Sequence, residues 1–264
     1  MRFAIYRMIG NDETVSNLIK FLVSRNCEYY VIDSNDSADI SDCDIVIAVG
    51  GDGTMLHAAK LASNFKKLII GINCGHFGYL AELEPSETQL IDNIINNNYI
   101  IERRRMIRVV LKNSGKEFVA LNDMVIQRTP ASSVIDITVS NVGRPFLNVK
   151  ADGIIISTPT GSTAYSMSAG GPIVDPSVNG MIVTPICAHS LFDRPLVLNG
   201  NSKLEITAKP RYDGELIYLT VDGENGVELN SNETVFVSID EQHFADFIKI
   251  KHDSFYNILR NKMI

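Results

Sequence analysis

The chain of 264 residues predicts an α/β N-terminal domain with a mostly parallel sheet, followed by a β-rich C-terminal domain. Up to Asn98, short apolar runs alternate with stretches of helical spacing, the pattern of βαβ units covered on both faces. From Tyr99 the period changes to two, and turn signals such as Asn141-Val142-Gly143-Arg144, Tyr212-Asp213-Gly214 and Asp222-Gly223-Glu224-Asn225-Gly226 separate the runs. A third feature locates the chemistry. The buried-strand run Ile45-Val46-Ile47-Ala48-Val49 feeds straight into Gly50-Gly51-Asp52-Gly53-Thr54, and ligands of open α/β sheets bind outside the carboxyl ends of such strands.

In chain order, Phe3–Tyr6 is a strand, and Val15, Leu18, Ile19 and Leu22 mark an amphipathic helix reaching about Arg25. Strands Tyr29–Ile32 and Asp44–Val49, helix Met55–Ser63 and strand Leu68–Ile72 follow. Ser86-Glu87-Thr88-Gln89 reads as a capping box opening a helix with Leu90, Ile91, Ile94 and Ile95, which Asn96-Asn97-Asn98 ends. The later strands are Phe118–Gln127, Ile135–Val139, Phe146–Val149, Met181–Pro185, Leu204–Thr207, Leu216–Val221 and Thr234–Ile239. Three segments result: an α/β domain over 1–98, a β-rich domain over 99–235, and a tail over 236–264. In the tail Phe255, Ile258 and Leu259 have helical spacing, and it is expected to pack back on the first domain.

With 45% hydrophobic and 21% charged residues the composition is that of a soluble globular chain. A net charge of −7 argues against nucleic acid as a partner, but not against nucleotides, which need only a local positive site. Cys27, Cys43, Cys74 and Cys187 form no metal-ligand spacing. No secretory or membrane-length apolar stretch is present, so a cytoplasmic location without membrane partners is expected.

Neither a dinucleotide-binding G-x-G-x-x-G nor a Walker A loop occurs, so the glycines at 50–53 serve another purpose. They suit a turn whose amides cradle an anion. Asp52 would repel a phosphate there, and reads instead as a base or an acceptor for a hydroxyl. A second glycine stretch, Gly71 to Leu80, follows the neighbouring strand and would face the same crevice; its His76 reads more readily as a hydrogen-bonded bystander than as a catalyst. Asn122-Asp123 interrupts an apolar strand, which is costly unless both are paired, whether within the fold or by a ligand. Ser157 to Pro172 is dense in hydroxyls and glycine, and reads as an ordered loop around a polar ligand, with Tyr165 offering a ring face to a base. Arg103, Arg104, Arg105 and Arg108 form a basic patch that fits solvated strand residues, an interdomain salt network, or contact with a phosphate-bearing substrate.

These stretches together resemble the NAD kinase family. The matching segments are GGDGT at 50–54, GINCGHFGYL at 71–80, LND at 121–123, ADG at 151–153, TPTGSTAYSMSAGGP at 158–172, TPICAHSLFDRPLV at 184–197 and VDG at 221–223. The resemblance implies a phosphofructokinase-like α/β domain and a β-rich domain with the active site in the crevice between them. It implies transfer of the γ-phosphoryl group of ATP, or of polyphosphate, to the 2′-hydroxyl of the adenosine ribose of NAD, with Mg²⁺ accompanying ATP and no dedicated all-protein metal site.

Residue by residue, the resemblance makes Asp52 catalytic and Gly50, Gly51, Gly53 and Thr54 phosphate-binding. It assigns Gly53, Asn122, Asp123, Asp152, Thr163, Ala164, Tyr165 and Ser168 to NAD, with Asp152 acting across the subunit interface of a homo-oligomer. Asn73, His76, Phe77, Ser162, Arg194 and Asp222 are further candidates. Position 123 is Asp where most members carry Glu. Lipid kinases share GGDGT and are one alternative, against which the hydroxyl-rich loop counts; a non-catalytic NAD-binding sensor is the other, and has no need of Asp52.

Overall fold

The fold comes from a computed structural model, which describes the chain except residues 9, 34–37, 76–77, 190–193, 225, 231–232, 252–253 and 264, and describes only the backbone at 254 and 261–263. Two compact units emerge, Met1–Arg104 with Phe244–Ile264, and Arg105–His243.

In the first unit β1 (Arg2–Arg7), α1 (Asp12–Ser24), β2 (Glu28–Asp33), β3 (Ile45–Gly50), α2 (Asp52–Asn64) and β4 (Leu68–Asn73) build a parallel sheet ordered β2-β1-β3-β4. Every residue of β3 is buried, as an apolar strand covered on both faces must be. Helix α1 buries Val15, Leu18 and Leu22, and α2 buries Met55, Ala58, Ala59 and Ala62. The chain leaves β1 toward β2 and then returns to its other side as β3. The carboxyl ends of β1 and β3 are therefore the topological switch point, where open α/β sheets bind ligands. A 3₁₀ turn over Pro85–Ile91 leads into α3 (Asp92–Ile95) and then β5 (Ile100–Leu111).

The second unit contains β6 (Glu117–Ala120), β7 (Asp123–Arg128), β8 (Ile135–Asn141), β9 (Arg144–Ala151), β10 (Gly153–Ser157), α4 (Tyr165–Ser168), β11 (Gly180–Ile186), β12 (Leu196–Asn199), β13 (Leu204–Lys209), β14 (Ile217–Val221) and β15 (Val227–Leu229). Six of them form an antiparallel sheet ordered β12-β11-β10-β7-β14-β15. Its two faces differ, because side chains alternate along a strand. Met124, Ile126, Ile154, Ile156, Met181 and Val183 enter the main core of the unit. Val125, Ile155 and Ile186 lie on the other face, with Ala169 of the hydroxyl-rich loop packed against them. β16 (Thr234–Lys249) pairs antiparallel with β13 at its start and parallel with β4 at Asp246 and Phe247, and α5 (Ser254–Met263) closes the chain.

Several sequence expectations need correction. Helix α2 starts at Asp52 rather than Met55, because Met55 N already donates to Gly51 O and places Gly51 at the cap. The capping box is Glu84 with Glu87, not Ser86 with Gln89; Pro85 begins the turn two residues sooner than a cap at Ser86 would. Phe118–Gln127 is two strands broken at Leu121-Asn122, so Asn122-Asp123 stands at a bend and not mid-strand. β16 runs ten residues beyond Ile239, to Lys249. Along β5, Met106 and Ile107 are buried in succession, which shifts the alternation and explains why neither face reads as apolar. Of the basic patch, Arg103 grips Asp246 with two bonds of 2.8 Å, Arg104 pairs with Glu102, and Arg108 pairs with Glu117, each within its own unit. Those three are therefore salt-bridged, but inside a unit and not between domains as the expected network would have them.

Candidate active site

In the first unit a candidate constellation lies at the carboxyl ends of β3 and β4. Asp52 occupies the first turn of α2, where the helix dipole favours a negative charge. Its two oxygens accept hydrogen bonds from Tyr79 N at 3.0 Å and Leu80 N at 3.3 Å. Gly78 lies so close that an added Cβ would fall 2.1 Å from Asp52 Oδ1. The second glycine stretch thus orients the carboxylate of the first. Cys74 N donates to Gly50 O at 3.1 Å, which joins the two turns at the strand ends. Burial, with Asp52 nearby, pushes the Tyr79 phenol up.

The glycines of the first turn are not equivalent. A Cβ on Gly50 would fall 2.3 Å from Thr54 Oγ1, so close packing alone explains that glycine. Thr54 is 2% exposed, and its hydroxyl is fully buried with no hydrogen-bond partner among the described residues. Gly51 and Gly53 have nothing within 4 Å of an added Cβ, and neither has a positive φ. The fold does not demand glycine at either position. What their missing side chains provide is access to the backbone beside Asp52. Gly53→Ala should therefore leave the fold intact or stabilise it by about 0.5 kcal/mol, since alanine suits a helix better. The same change should lower phosphoryl transfer by roughly tenfold or more by crowding the approach, as small misplacements of a reacting group do. Melting and turnover measured side by side check this; unaltered turnover would show that the space is not used.

Asn73 is buried and shapes the second turn, accepting from Gly75 N at 3.3 Å and donating to Glu84 Oε1 at 3.4 Å. Beside it opens a polar cavity of about 360 Å³, lined by Asn11, Thr14, Cys74, Gly75 and Glu84 among others. His76 and Phe77 lie outside the described residues. Among the described residues no group of three or more His, Cys, Asp or Glu side chains is placed to hold a metal.

The second unit carries a constellation of its own. Asp222, in a turn at φ +49°, sends its carboxylate to three successive amides: Leu121 N at 2.8 Å, Asn122 N at 2.8 Å and Asp123 N at 3.0 Å. That clamp makes the bend between β6 and β7 and gives Asp222 a supporting role there. The hydroxyl-rich loop docks on the same bend. Thr158 N donates to Asn122 O at 2.8 Å, Thr158 Oγ1 to Leu121 O at 2.5 Å, and Gly161 N to Thr158 Oγ1 at 3.0 Å. Gly161 passes so near that a Cβ would meet Asn122 O at 2.1 Å. Ser162 is wholly buried, with its hydroxyl bonded between Pro159 O and Val174.

What remains open is a compact set. Asn122 and Asp123 offer side chains with no hydrogen-bond partner among the described residues, next to partly exposed Thr163 and Ala164 and to the exposed Tyr165 and Ser168. Asp123 is only 5% exposed. Burial first, and repulsion from Asp222 second, push its carboxyl up to about 7. A buried carboxyl without a partner is costly, and a ligand hydroxyl or amide would satisfy it.

Asp152 does not join this set within one chain. It precedes β10, whereas Ser157 at the other end of β10 is the cross-strand neighbour of Asp123. Five strand residues separate the ends, about 16 Å. Asp152 is instead paired with Arg128 Nε at 2.7 Å, and Arg128 also donates to the carbonyls of Thr129, Pro130 and Ser132. Arg194 is exposed. Sequence reasoning missed Thr158 as the hinge of the loop and Arg128 as the partner of Asp152. Thr158 stood inside the quoted hydroxyl run, but no spacing marked Arg128.

Comparison with known proteins agrees with this geometry. Residues 7–99 match the ATP-NAD kinase N-terminal domain and residues 121–250 the ATP-NAD kinase C-terminal domain. The chain is 39% identical over 232 residues to the NAD kinase of Clostridium botulinum (strain Loch Maree / Type A3), covering 86% of this chain and 81% of that one. It is 35% identical over 270 aligned positions to the NAD kinase of Thermoanaerobacter sp. (strain X514), covering 95% and 93%. Among solved structures, an NAD kinase from Archaeoglobus fulgidus in complex with ATP superposes with a TM-score of 0.79 at 25% identity, over 98% of both chains. Yeast NADH kinase complexed with NADH shares the fold, with a TM-score of 0.89 at 22% identity, over 100% of this chain and 87% of that one. Two family domains in tandem, close relatives over most of their length and the Asp52 and Asn122-Asp123 constellations agree: the chain belongs to the NAD kinase family.

Proposed function

We propose that the chain phosphorylates the 2′-hydroxyl of the adenosine ribose of NAD, taking the γ-phosphoryl group of ATP and releasing ADP. The observation that carries this reading is Asp52: a carboxylate oriented by two backbone amides, in a turn where Gly51 and Gly53 leave open space. A site built only to bind a dinucleotide has no use for it. In this reading the ribose oxygen attacks the γ-phosphorus, the bond from that phosphorus to the β–γ bridging oxygen breaks, and the hydroxyl proton passes to Asp52 and then to solvent. Asn122 and Asp123 hold the nucleoside, Tyr165 covers the base, and the hydroxyls of Thr163 and Ser168 complete the contacts. These groups suit a nucleoside, because unpaired ribose or base edges would otherwise cost a kilocalorie or more.

Mg²⁺ enters with ATP and neutralises charge on the transferred group. Magnesium needs only one or two carboxylates beside phosphates and water, so Asp52 as a single nearby carboxylate fits an ion delivered with its substrate. ATP is the donor we favour, since the archaeal relative was solved with it. Polyphosphate is the alternative donor to test.

The reading includes a homo-oligomer, in which Asp152 serves the nicotinamide end of a neighbouring subunit's NAD. Its distance from Asp123 along β10 supports that role. Asp152→Ala should raise KM for NAD more than for ATP, and equal changes would count against it. We place the protein in the cytoplasm; all four cysteines are free, and no helix among the described residues is long and apolar enough to cross a membrane. The direct test is Mg²⁺-dependent NADP⁺ formation with ATP or polyphosphate, read by an NADP-specific dehydrogenase. Binding of NAD without product from either donor would overturn the proposal.

A further inference from the structure

We infer that Glu82 is a positioning residue for Asp52, acting through the loop from Gly78 to Leu83 that the returning C-terminal segment clamps in place. The inference rests on the reading of Asp52 as the proton acceptor. The loop has one end on Asp52, through the amides of Tyr79 and Leu80 and the close approach of Gly78. Its other end carries Glu82, whose side chain is 1% exposed. Both oxygens of that carboxylate are committed to the C-terminal segment. Oε2 accepts from Lys249 Nζ at 2.9 Å, and Oε1 accepts from Ile250 N at 2.9 Å and Lys251 N at 2.6 Å. Lys249 is itself 4% exposed, and Lys251 Nζ reaches Glu87 Oε2 at 2.5 Å.

The loop has little freedom between these anchors. Glu82 N and Leu83 N both donate to Gly71 O, and Asn73 N donates to Leu83 O at 2.8 Å. A Cβ on Gly71 would meet Met55 Sδ at 2.6 Å and Ala81 Cα at 3.0 Å, so a larger residue there would have to displace the Met55 side chain and press on the loop. Movement of the chain at Glu82 must therefore be passed to Leu80 and Tyr79, two and three residues away. Stability alone does not account for the buried pair, since well-packed apolar residues commonly stabilise as well or better than a buried ion pair. What a carboxylate adds here is a fixed acceptor for two successive backbone amides, which sets where the segment after β16 meets the loop.

Three variants separate this role from general support of the fold. Glu82→Ala removes the acceptor. Lys251→Pro removes one N–H at a half-buried position, and Lys251→Ala keeps that N–H while losing the contact with Glu87. The readouts are amide hydrogen exchange at Tyr79 and Leu80, kcat, and the equilibrium Kd for NAD. For Glu82→Ala and Lys251→Pro, exchange at Tyr79 and Leu80 should accelerate by about tenfold or more. With it kcat should fall by roughly tenfold or more in Glu82→Ala and severalfold in Lys251→Pro, the NAD Kd staying within about twofold. Lys251→Ala should change none of the three. The pair Glu82→Gln with Lys249→Met, which keeps an oxygen for the two amides and discards both charges, should restore protection and kcat. Unaltered exchange and kcat in Lys251→Pro, which does not depend on Glu82→Ala folding, would overturn the inference, as would a Kd that weakens in step with kcat. Should the wild type form no NADP⁺, the proposed function fails, while the exchange measurement still decides whether the clamp exists.

Discussion

Asp52→Asn should lower kcat for NADP⁺ formation by about a thousandfold while the Kd for NAD stays within about twofold, because a general base contributes on that scale and does not hold the ground-state nucleoside. The contacts assigned to the nucleoside, from Asn122 to Ser168, belong to the other unit and are untouched by the change. Asparagine also brings a structural cost. Both oxygens of Asp52 accept amides, so an Asn side chain must turn its NH₂ toward Tyr79 N or Leu80 N. One lost hydrogen bond between donor and donor costs about 1–2 kcal/mol, so the variant should melt slightly earlier yet remain folded. Parallel melting, NAD titration and turnover check the three parts. Turnover and NAD affinity falling together would remove Asp52 from the chemistry.

Asp123→Asn should stabilise the protein, and by an amount that depends on pH. The carboxyl of Asp123 is pushed up to about 7 in the fold, from an ordinary value of 3.8. Below about pH 4 both folded and unfolded states hold the proton and the residue has no differential effect. As pH rises from about 4 to 7, the unfolded state releases its proton while the folded state retains it, so stability is lost across that window. Above about 7 the folded state ionises as well and the loss levels off. Three units correspond to roughly 4 kcal/mol as an upper figure. Denaturant titrations of both proteins should give coincident stabilities near pH 4, and a gap favouring the variant that widens to about 2–4 kcal/mol by pH 8. A constant gap would mean that Asp123 is already ionised in the fold. If a ribose hydroxyl donates to the carboxylate, NAD affinity should rise through the same pH range, since binding then favours the ionised form.

Asp123 is thus a destabilising group in the region proposed to hold the nucleoside, and this bears on what could be read in advance. The β3 run ending in Gly50 was legible because a strand buried on both faces must be continuously apolar, and Asp52 because a lone carboxylate among glycines fits no phosphate grip. The hydroxyl-rich loop was legible from composition. The roles of its members were not: Ser162, Thr163 and Ser168 look alike in a list of hydroxyls, yet only docking on the 121–123 bend decides that Ser162 turns inward to Pro159 and Val174. The position of the Thr54 hydroxyl was not legible for the same reason, since close packing against Gly50 determines where it lies. Asp222 clamps a bend a hundred residues away in sequence, and Glu82 meets Lys249 across a separation of 167. No local period or spacing reports pairings of that range. The acidic replacement at position 123 was visible at once, but its consequence depends on burial and on Asp222.

The central claim is the identity of the accepting atom. Transfer of label from γ-labelled ATP should be measured to NAD and, in parallel, to its 2′-deoxyadenosine analogue, with binding of both confirmed by titration. The account predicts label on NAD as a 2′-monoester and none on the analogue, even though the analogue binds. Label appearing on the analogue, or on no nucleotide at all while ATP is consumed, would contradict it.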